Sequence, residues 1–244
     1  MRYAVFSDIH SNLEAYEAVL ADCSKEKPDR YYCGGDIVGY GADPHACIAK
    51  TMALNTVTVA GNHDWAAAGA TGLDNFNVNT KAAVLWTAQT LGREEKEYLK
   101  GLEIIRKDDF TMVHGSPNRP EDFEYIFGLN HAYSAFLRMQ EEDIRICFVG
   151  HTHAAGIFIE DEEGCIVYNS WPEVRLEDNK RYIINTGSVG QPRDNDPAAA
   201  YCIYDTAEKI VRIKRVKYDV ESAQQKIIRA GLPRIMAERL SLGK

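Results

Sequence analysis

Tyr3-Ala4-Val5-Phe6-Ser7-Asp8-Ile9-His10-Ser11-Asn12-Leu13 is the stretch whose reading decides the fold. Residues 3–7 form a short run with aromatic and β-branched side chains and read as a strand that ends in polar residues suited to a turn. Ser11 or Asn12 then offers a side-chain oxygen as a helix N-cap, ahead of Leu13, Tyr16, Ala18 and Leu20. The unit repeats. Residues 30–33 and 56–60 read as strands, and between them Asp43 stands as an N-cap with Pro44 at the first helical position. A βαβαβ rhythm of this kind predicts a parallel sheet with its reactive loops at the carboxyl ends of the strands.

Further along, the Ala/Gly-rich residues 66–72 read as a mobile stretch, followed by residues 73–79 and a helix through Val84, Leu85, Ala88 and Leu91. A helix over 94–102 leads to a hairpin-like pair, 104–106 and 110–113. The second half is richer in strands, at 144–149, 156–160, 165–169, 182–185, 201–204 and 211–216. They predict a second sheet, or a continuation of the first, that is mostly antiparallel. A last helix over 220–230 stops at Gly231 and Pro233. Its apolar stripe, Val220, Ala223, Ile227 and Ala230, suits packing on the body, and a homo-oligomer contact is left open. No linker composition interrupts the chain, so residues 1–244 read as one domain.

Composition narrows the classes. The 28 Lys and Arg residues against 36 Asp and Glu give a net charge of −8, which opposes a broad basic surface, so no nucleic-acid partner is expected. No apolar run is long enough to span a bilayer, so no membrane partner is expected either. Residues 3–7 are too short for a signal-peptide core, which predicts no export. Six cysteines without a C-x-x-C pair are expected as buried free thiols, as suits a cytoplasmic protein.

The chemistry lies where strands end. Asp8-Ile9-His10, Gly34-Gly35-Asp36, Gly61-Asn62-His63-Asp64, His114-Gly115-Ser116-Pro117 and Gly150-His151-Thr152-His153 each follow a strand, and they hold five of the seven histidines. Asp8 and His10 are two apart, as are His151 and His153; in extended backbone each pair points to one face and would grip one ion. The candidate ligands are Asp8, His10, Asp36, Asn62, His114, His151 and His153. Seven are too many for one structural ion and suit two ions that share a bridging carboxylate. With no thiolate in the set, Mn, Fe, Zn, Ni or Co is expected. Two dications outweigh Asp8 and Asp36 and leave a cationic site for a phosphate. His45 and His131 lie outside the clusters and read as solvent-facing or satisfied.

In this order the clusters resemble the calcineurin-like metallophosphoesterase superfamily, over about Met1 to Asp205. The resemblance implies an α/β fold with two face-to-face β-sheets flanked by helices, a four-layer αββα sandwich. It implies one ion on Asp8, His10, Asp36 and His153 and another on Asp36, Asn62, His114 and His151. His63 would be the general acid, and a hydroxide bridging the ions the nucleophile. Gly39 and Tyr40 stand where the phosphoprotein-phosphatase branch carries an Asp that steadies the catalytic His and an Arg that clamps phosphate; adjacent Asp64 is a candidate substitute for the former.

Residues 185–193, Asn-Thr-Gly-Ser-Val-Gly-Gln-Pro-Arg, resemble a loop of the small bacterial and archaeal phosphodiesterase branch, which includes diadenosine-tetraphosphatase-like proteins. That loop would bring Arg193 to the phosphate, with Arg119 as a second candidate, while Trp65 and Phe76 are read as packing. The expected activity is a metal-dependent phosphoric ester hydrolase acting on a small phosphodiester or nucleotide. Its alternatives are a phosphomonoesterase or a phosphoprotein phosphatase, and its rivals are a non-catalytic scaffold and an exonuclease.

Overall fold

The computed structural model describes residues 1–244. Strands β1 (Arg2–Phe6), β2 (Arg30–Cys33) and β3 (Val57–Thr58) pair in parallel, as the βαβαβ rhythm predicts. Two further strands form the hairpin β4 (Ile105–Lys107) and β5 (Thr111–Val113). The second half supplies β6 (Ile146–Val149), β7 (Gly156–Glu160), β8 (Ile166–Asn169), β9 (Glu173–Arg175), β10 (Arg181–Asn185), β11 (Ala199–Asp205) and β12 (Ile210–Val216). These strands do not form a sheet of their own. β11 lies antiparallel to β1, so the first sheet runs β3-β2-β1-β11-β12-β9, whereas the second runs β4-β5-β6-β10-β7-β8. Both sheets are mixed: β6 is parallel to β5 and to β10, and β10 is antiparallel to β7.

Alternation along β1 explains the layers. Its successive side chains point to opposite faces. Ala4 and Phe6 join an apolar cluster with Ala15, Tyr16 and Val19 of α1 (Leu13–Glu26), the outer helical layer. Tyr3 and Val5 face inward, where they meet Met112, Phe148 and Ile184 of the second sheet. The far side of that sheet, Val113, Cys147 and Ile183, is covered by Ala132, Ala135, Phe136 and Met139 of a helix over Leu129–Glu141, which closes the fourth layer. The result is the αββα sandwich. Local patterns in the sequence did not mark that last helix.

One expectation is corrected at residues 66–72. Ala66, Ala67 and Ala68 are not a mobile run: they are buried in a helix over Asn62–Ala68 that ends at Gly69 in the left-handed region. Alanine is the best helix former, and the Gly61 turn that starts this helix sets Asn62 and His63 in its first turn. Asn12 caps α1 by accepting from the Ala15 N–H, whereas Asp43 makes no side-chain cap bond and instead accepts from Lys226 Nζ at 2.9 Å. Five of the six cysteines are buried free thiols, and Cys165 is exposed. No helix is long and apolar enough to cross a membrane.

Candidate metal centre

Parallel pairing brings the carboxyl ends of β1, β2 and β3 to one edge, and those of β5, β6 and β10 to the edge facing it. The loops that follow are laced together by main-chain bonds. Asp8 N–H donates to Gly35 O (3.0 Å), Gly150 N–H to His114 O (2.9 Å) and Gly190 N–H to Asp8 O (2.8 Å).

The clusters are not extended. Asp8, His10, Asp36, His151 and His153 have φ of 56°, 48°, 53°, 64° and 60°, a region that L-residues other than Asn and Asp rarely adopt. Each such residue costs on the order of 1 kcal/mol, so five within one site mark geometry imposed by the surrounding fold. Turning, rather than alternation, aims the side chains. Asp8, His10 and His153 come within mutual reach of one ion, and Asp36, His114 and His151 within reach of another. His151 and His153 therefore do not share an ion as extended backbone would require. Asp36 also lies within reach of His10 and His63, which places it between the two groups.

Three histidines have a fixed tautomer. Their Nδ1–H groups donate to carbonyls, His10 to Val38 O (3.1 Å), His114 to Gly34 O (2.7 Å) and His153 to Gln191 O (2.6 Å). A carbonyl only accepts, so each ring turns its Nε2 inward, where a cation can take its lone pair. The Nε2 atoms of His10 and His153 face each other at 3.0 Å, and that of His114 lies 3.3 Å from Asp36 Oδ2. The carboxylates are likewise half committed. Asp8 Oδ2 accepts from the His151 N–H (3.0 Å) and Asp36 Oδ1 from the His63 N–H (2.9 Å). Left over, buried and without a partner, are Asp8 Oδ1, Asp36 Oδ2, Asn62 Oδ1 and His114 Nε2. An unsatisfied buried polar atom costs about 1–3 kcal/mol, and His114 Nε2 lies 3.3 Å from Asp36 Oδ2 and 4.0 Å from Asp8 Oδ1, so these converging atoms fit divalent cations.

The electrostatics agree. Burial alone would raise the Asp36 carboxyl, but the His114 and His63 charges outweigh it and hold it well below the usual range. Asp8 is held low in the same way, chiefly by His153 and His10. Burial, and then the Arg193 charge, pushes His153 down to about 4, while Asp36 overcomes burial and lifts His114 to about 9. Ionised carboxylates beside the neutral imidazoles of His151 and His153 suit metal binding, and a cation would displace the proton that Asp36 holds on His114.

His63 is buried at the first turn of its helix, and its Nδ1 has no partner. Asp64 does not orient it. The Asp64 oxygens accept from the Val38 and Gly61 N–H groups, both at 3.1 Å, and burial together with the Asp36 charge raises its pKa to about 7. Packing positions the His63 ring instead, with Tyr40 at 4.5 Å, His10 at 4.7 Å and Phe76 at 5.0 Å between ring centroids. Gly39, at φ +109°, leaves the room, since a Cβ there would overlap His63 Nδ1. Asp64→Ala should therefore strand two buried N–H donors and lower the unfolding free energy by about 2 kcal/mol, read from denaturant midpoints. A variant as stable as the parent would mean that water replaces the carboxylate.

Arg193 lies with its Cζ 5.5 Å over the Tyr40 ring, and its Nη2 donates to Gln191 Oε1 at 2.9 Å. Arg119 is exposed and pairs with Asp122 (2.9 Å) and Glu124, which removes it as a clamp. Trp65 packs edge-on against Phe123 and Phe76 against His63. His45 pairs with Glu95 at 2.6 Å, and His131 is exposed. A cleft of about 660 Å³ opens on Asn62, His63, His151 and Arg193. Its wall includes Tyr125, stacked on His151 at 3.7 Å, and Arg239; neither sits in a motif, and no signal in the sequence singled them out.

The pattern described as the calcineurin-like phosphoesterase superfamily domain matches residues 1–209. Uncharacterized protein MJ0912 of Methanocaldococcus jannaschii is 39% identical over 246 residues, which cover 99% of this chain and 98% of that one. The crystal structure of a metallophosphoesterase from Sphaerobacter thermophilus superposes with a TM-score of 0.87 at 39% identity, covering 100% of this chain and 99% of the other. Hypothetical protein PH1004 from Pyrococcus horikoshii OT3 shares the fold at a TM-score of 0.80 and 21% identity, covering 100% of this chain and 98% of that one. Together with the converging lone pairs, these likenesses establish that the chain belongs to the calcineurin-like phosphoesterase superfamily and is a metal-dependent phosphoric ester hydrolase.

Proposed function

We propose that this hydrolase cleaves a small phosphodiester or nucleotide at a two-ion centre, with Mn, Fe, Zn, Ni or Co in the sites. The observation that carries the reading is the buried, unpaired oxygens of Asp8, Asp36 and Asn62 and Nε2 of His114, beside two ligand groups, Asp8-His10-His153 and Asp36-His114-His151, that meet where His10 and Asp36 lie within reach of each other. One ion would rest on Asp8, His10, Asp36 and His153, the other on Asp36, Asn62, His114 and His151. When bound, such ions lower the pKa of water toward neutrality and polarise phosphoryl oxygens.

The protein supplies the rest. Arg193 offers N–H groups to a non-bridging phosphate oxygen. His63 lines the cleft and would be the proton donor to the departing oxygen. Burial holds its pKa well below the ordinary value, and an arriving phosphate anion raises it again, which couples protonation of His63 to substrate binding. Tyr40 and Gly39, in place of a second Arg and a carboxylate, leave less fixed charge beside His63 and more apolar wall. That arrangement suits a singly charged diester with two organic groups better than a dianionic monoester. Residues 1–244 act as one catalytic domain in this reading, and the buried thiols suit the cytoplasm.

The test is a panel of phosphomonoesters, phosphodiesters, cyclic nucleotides and dinucleoside polyphosphates assayed with Mn, Ni, Co, Mg and Zn. Higher kcat/KM for bis(4-nitrophenyl) phosphate than for 4-nitrophenyl phosphate supports the diesterase reading. The reverse preference overturns it.

A further inference from the structure

The segment beyond the family match returns to the site. A helix over Val220–Arg229, a second over Arg234–Glu238 and a 3-10 turn over Arg239–Leu242 pack through Ala223, Ile227, Met236 and Leu240 onto Tyr40, which also touches His63. The main chain is tied back as well, Asn195 N–H donating to Gly243 O at 2.9 Å. This packing delivers Arg239 to the cleft that holds His63 and Arg193.

The local charge is unbalanced. Gln191 is 1% exposed, and its single side-chain oxygen collects both guanidinium groups, Arg193 Nη2 at 2.9 Å and Arg239 Nη1 at 3.4 Å. Gln191 Nε2 and Arg193 Nε are buried donors without a partner. Arg239 Nε donates to Lys244 O at 2.6 Å, and neither arginine forms an ion pair with an Asp or Glu side chain, although Asp and Glu outnumber Lys and Arg by 36 to 28 in this chain. Of the four acidic side chains that line the cleft, Asp122 and Glu124 are paired with Arg119, and Asp74 and Glu121 form no ion pair with Arg193 or Arg239. Two like charges drawn to one neutral oxygen, with Arg193 Nε and Gln191 Nε2 to spare, suit an anion between them.

We propose that Arg239, Arg193 and Gln191 form a second anion subsite beside the metal centre, which selects phosphate esters carrying another phosphoryl group next to the scissile one. The inference rests on the phosphodiesterase reading and deepens it. Arg193 is the nearer arginine, since its main-chain N–H donates to His153 O at 3.0 Å and its guanidinium lies over Tyr40, the neighbour of His63, whereas Arg239 meets it through Gln191 Oε1. The order from the ions outward is therefore scissile phosphate, Arg193, then Arg239. A single-phosphate diester brings one negative charge, which the ions and Arg193 oppose; a second phosphoryl group brings the charge that Arg239 lacks.

Two chromogenic probes with one leaving group test this: methyl 4-nitrophenyl phosphate and P1-methyl P2-(4-nitrophenyl) diphosphate, each assayed with the metal-loaded full chain. The parent should favour the diphosphate ester. In Arg239→Ala that preference, as a ratio of kcat/KM values, should fall about tenfold to hundredfold through KM, the worth of a charge-assisted bidentate contact. Arg239→Lys, which keeps charge and loses the planar fork, should fall between the two. An unchanged ratio in a variant that melts like the parent overturns the subsite. If the parent hydrolyses neither ester, the diesterase reading fails, and the subsite is judged by equilibrium binding. Tighter binding of methyl diphosphate than of methyl phosphate, abolished in Arg239→Ala, sustains it, and equal binding of the two overturns it.

Discussion

Asp36→Asn should abolish stoichiometric metal and lower kcat/KM about a thousandfold or more, on the order of 4 kcal/mol of transition-state stabilisation. The amide cannot satisfy both of its neighbours. Asp36 Oδ1 accepts from the His63 N–H at 2.9 Å, which in the variant keeps the amide oxygen there and turns the NH2 group toward His114 and His10. A lone pair that would serve both ions is thus replaced by a donor. The negative charge that lifts His114 is lost too, so the site becomes less able to collect cations. Elemental analysis and turnover should fall together, with circular dichroism confirming the fold. Full metal content with lost activity would mean that Asp36 does not bridge.

His63→Gln should do the reverse, keeping metal and lowering kcat by about 10²- to 10⁴-fold, the usual contribution of a positioned acid. The backbone N–H of residue 63 still reaches Asp36, and the ring makes no side-chain hydrogen bond that the variant would break. What is lost is edge-on packing with Tyr40 and Phe76, about 0.5–1.5 kcal/mol each. A proton donor matters most for a poor leaving group. The loss should therefore be largest for alkyl esters and smallest for 4-nitrophenyl esters, whose phenolate departs without help. A variant equally impaired on both would point to a positioning role, and one as active as the parent would place the acid elsewhere.

Much of this was legible in the sequence because strand ends and metal ligands leave local marks. The runs around Tyr3, Tyr31 and Val57 predicted a parallel sheet, and the polar clusters at their ends marked the edge where the loops gather. Sheet membership was harder. β11 pairs with β1 across some two hundred residues of chain, and no local pattern distinguishes that partner from β10. The backbone at the clusters was misread for a related reason. Left-handed conformations are signalled by glycine, but here Asp8, His10, Asp36, His151 and His153 adopt them themselves, held by loops that are remote in sequence. The same limit hid Tyr125 and Arg239, whose roles depend on a stacking contact and on a helical tail folding back. Asp64 shows the converse. Adjacency to His63 suggested contact, yet the helix turns consecutive side chains about 100° apart and sends the carboxylate to Val38 and Gly61.

Crystals of the full chain soaked in Mn(II) and measured for anomalous scattering put the two-cation arrangement to its most direct test. Two peaks should flank the Asp36 carboxylate, one beside Asp8, His10 and His153, the other beside Asn62, His114 and His151. A single peak, or none within reach of Asp36, would contradict it.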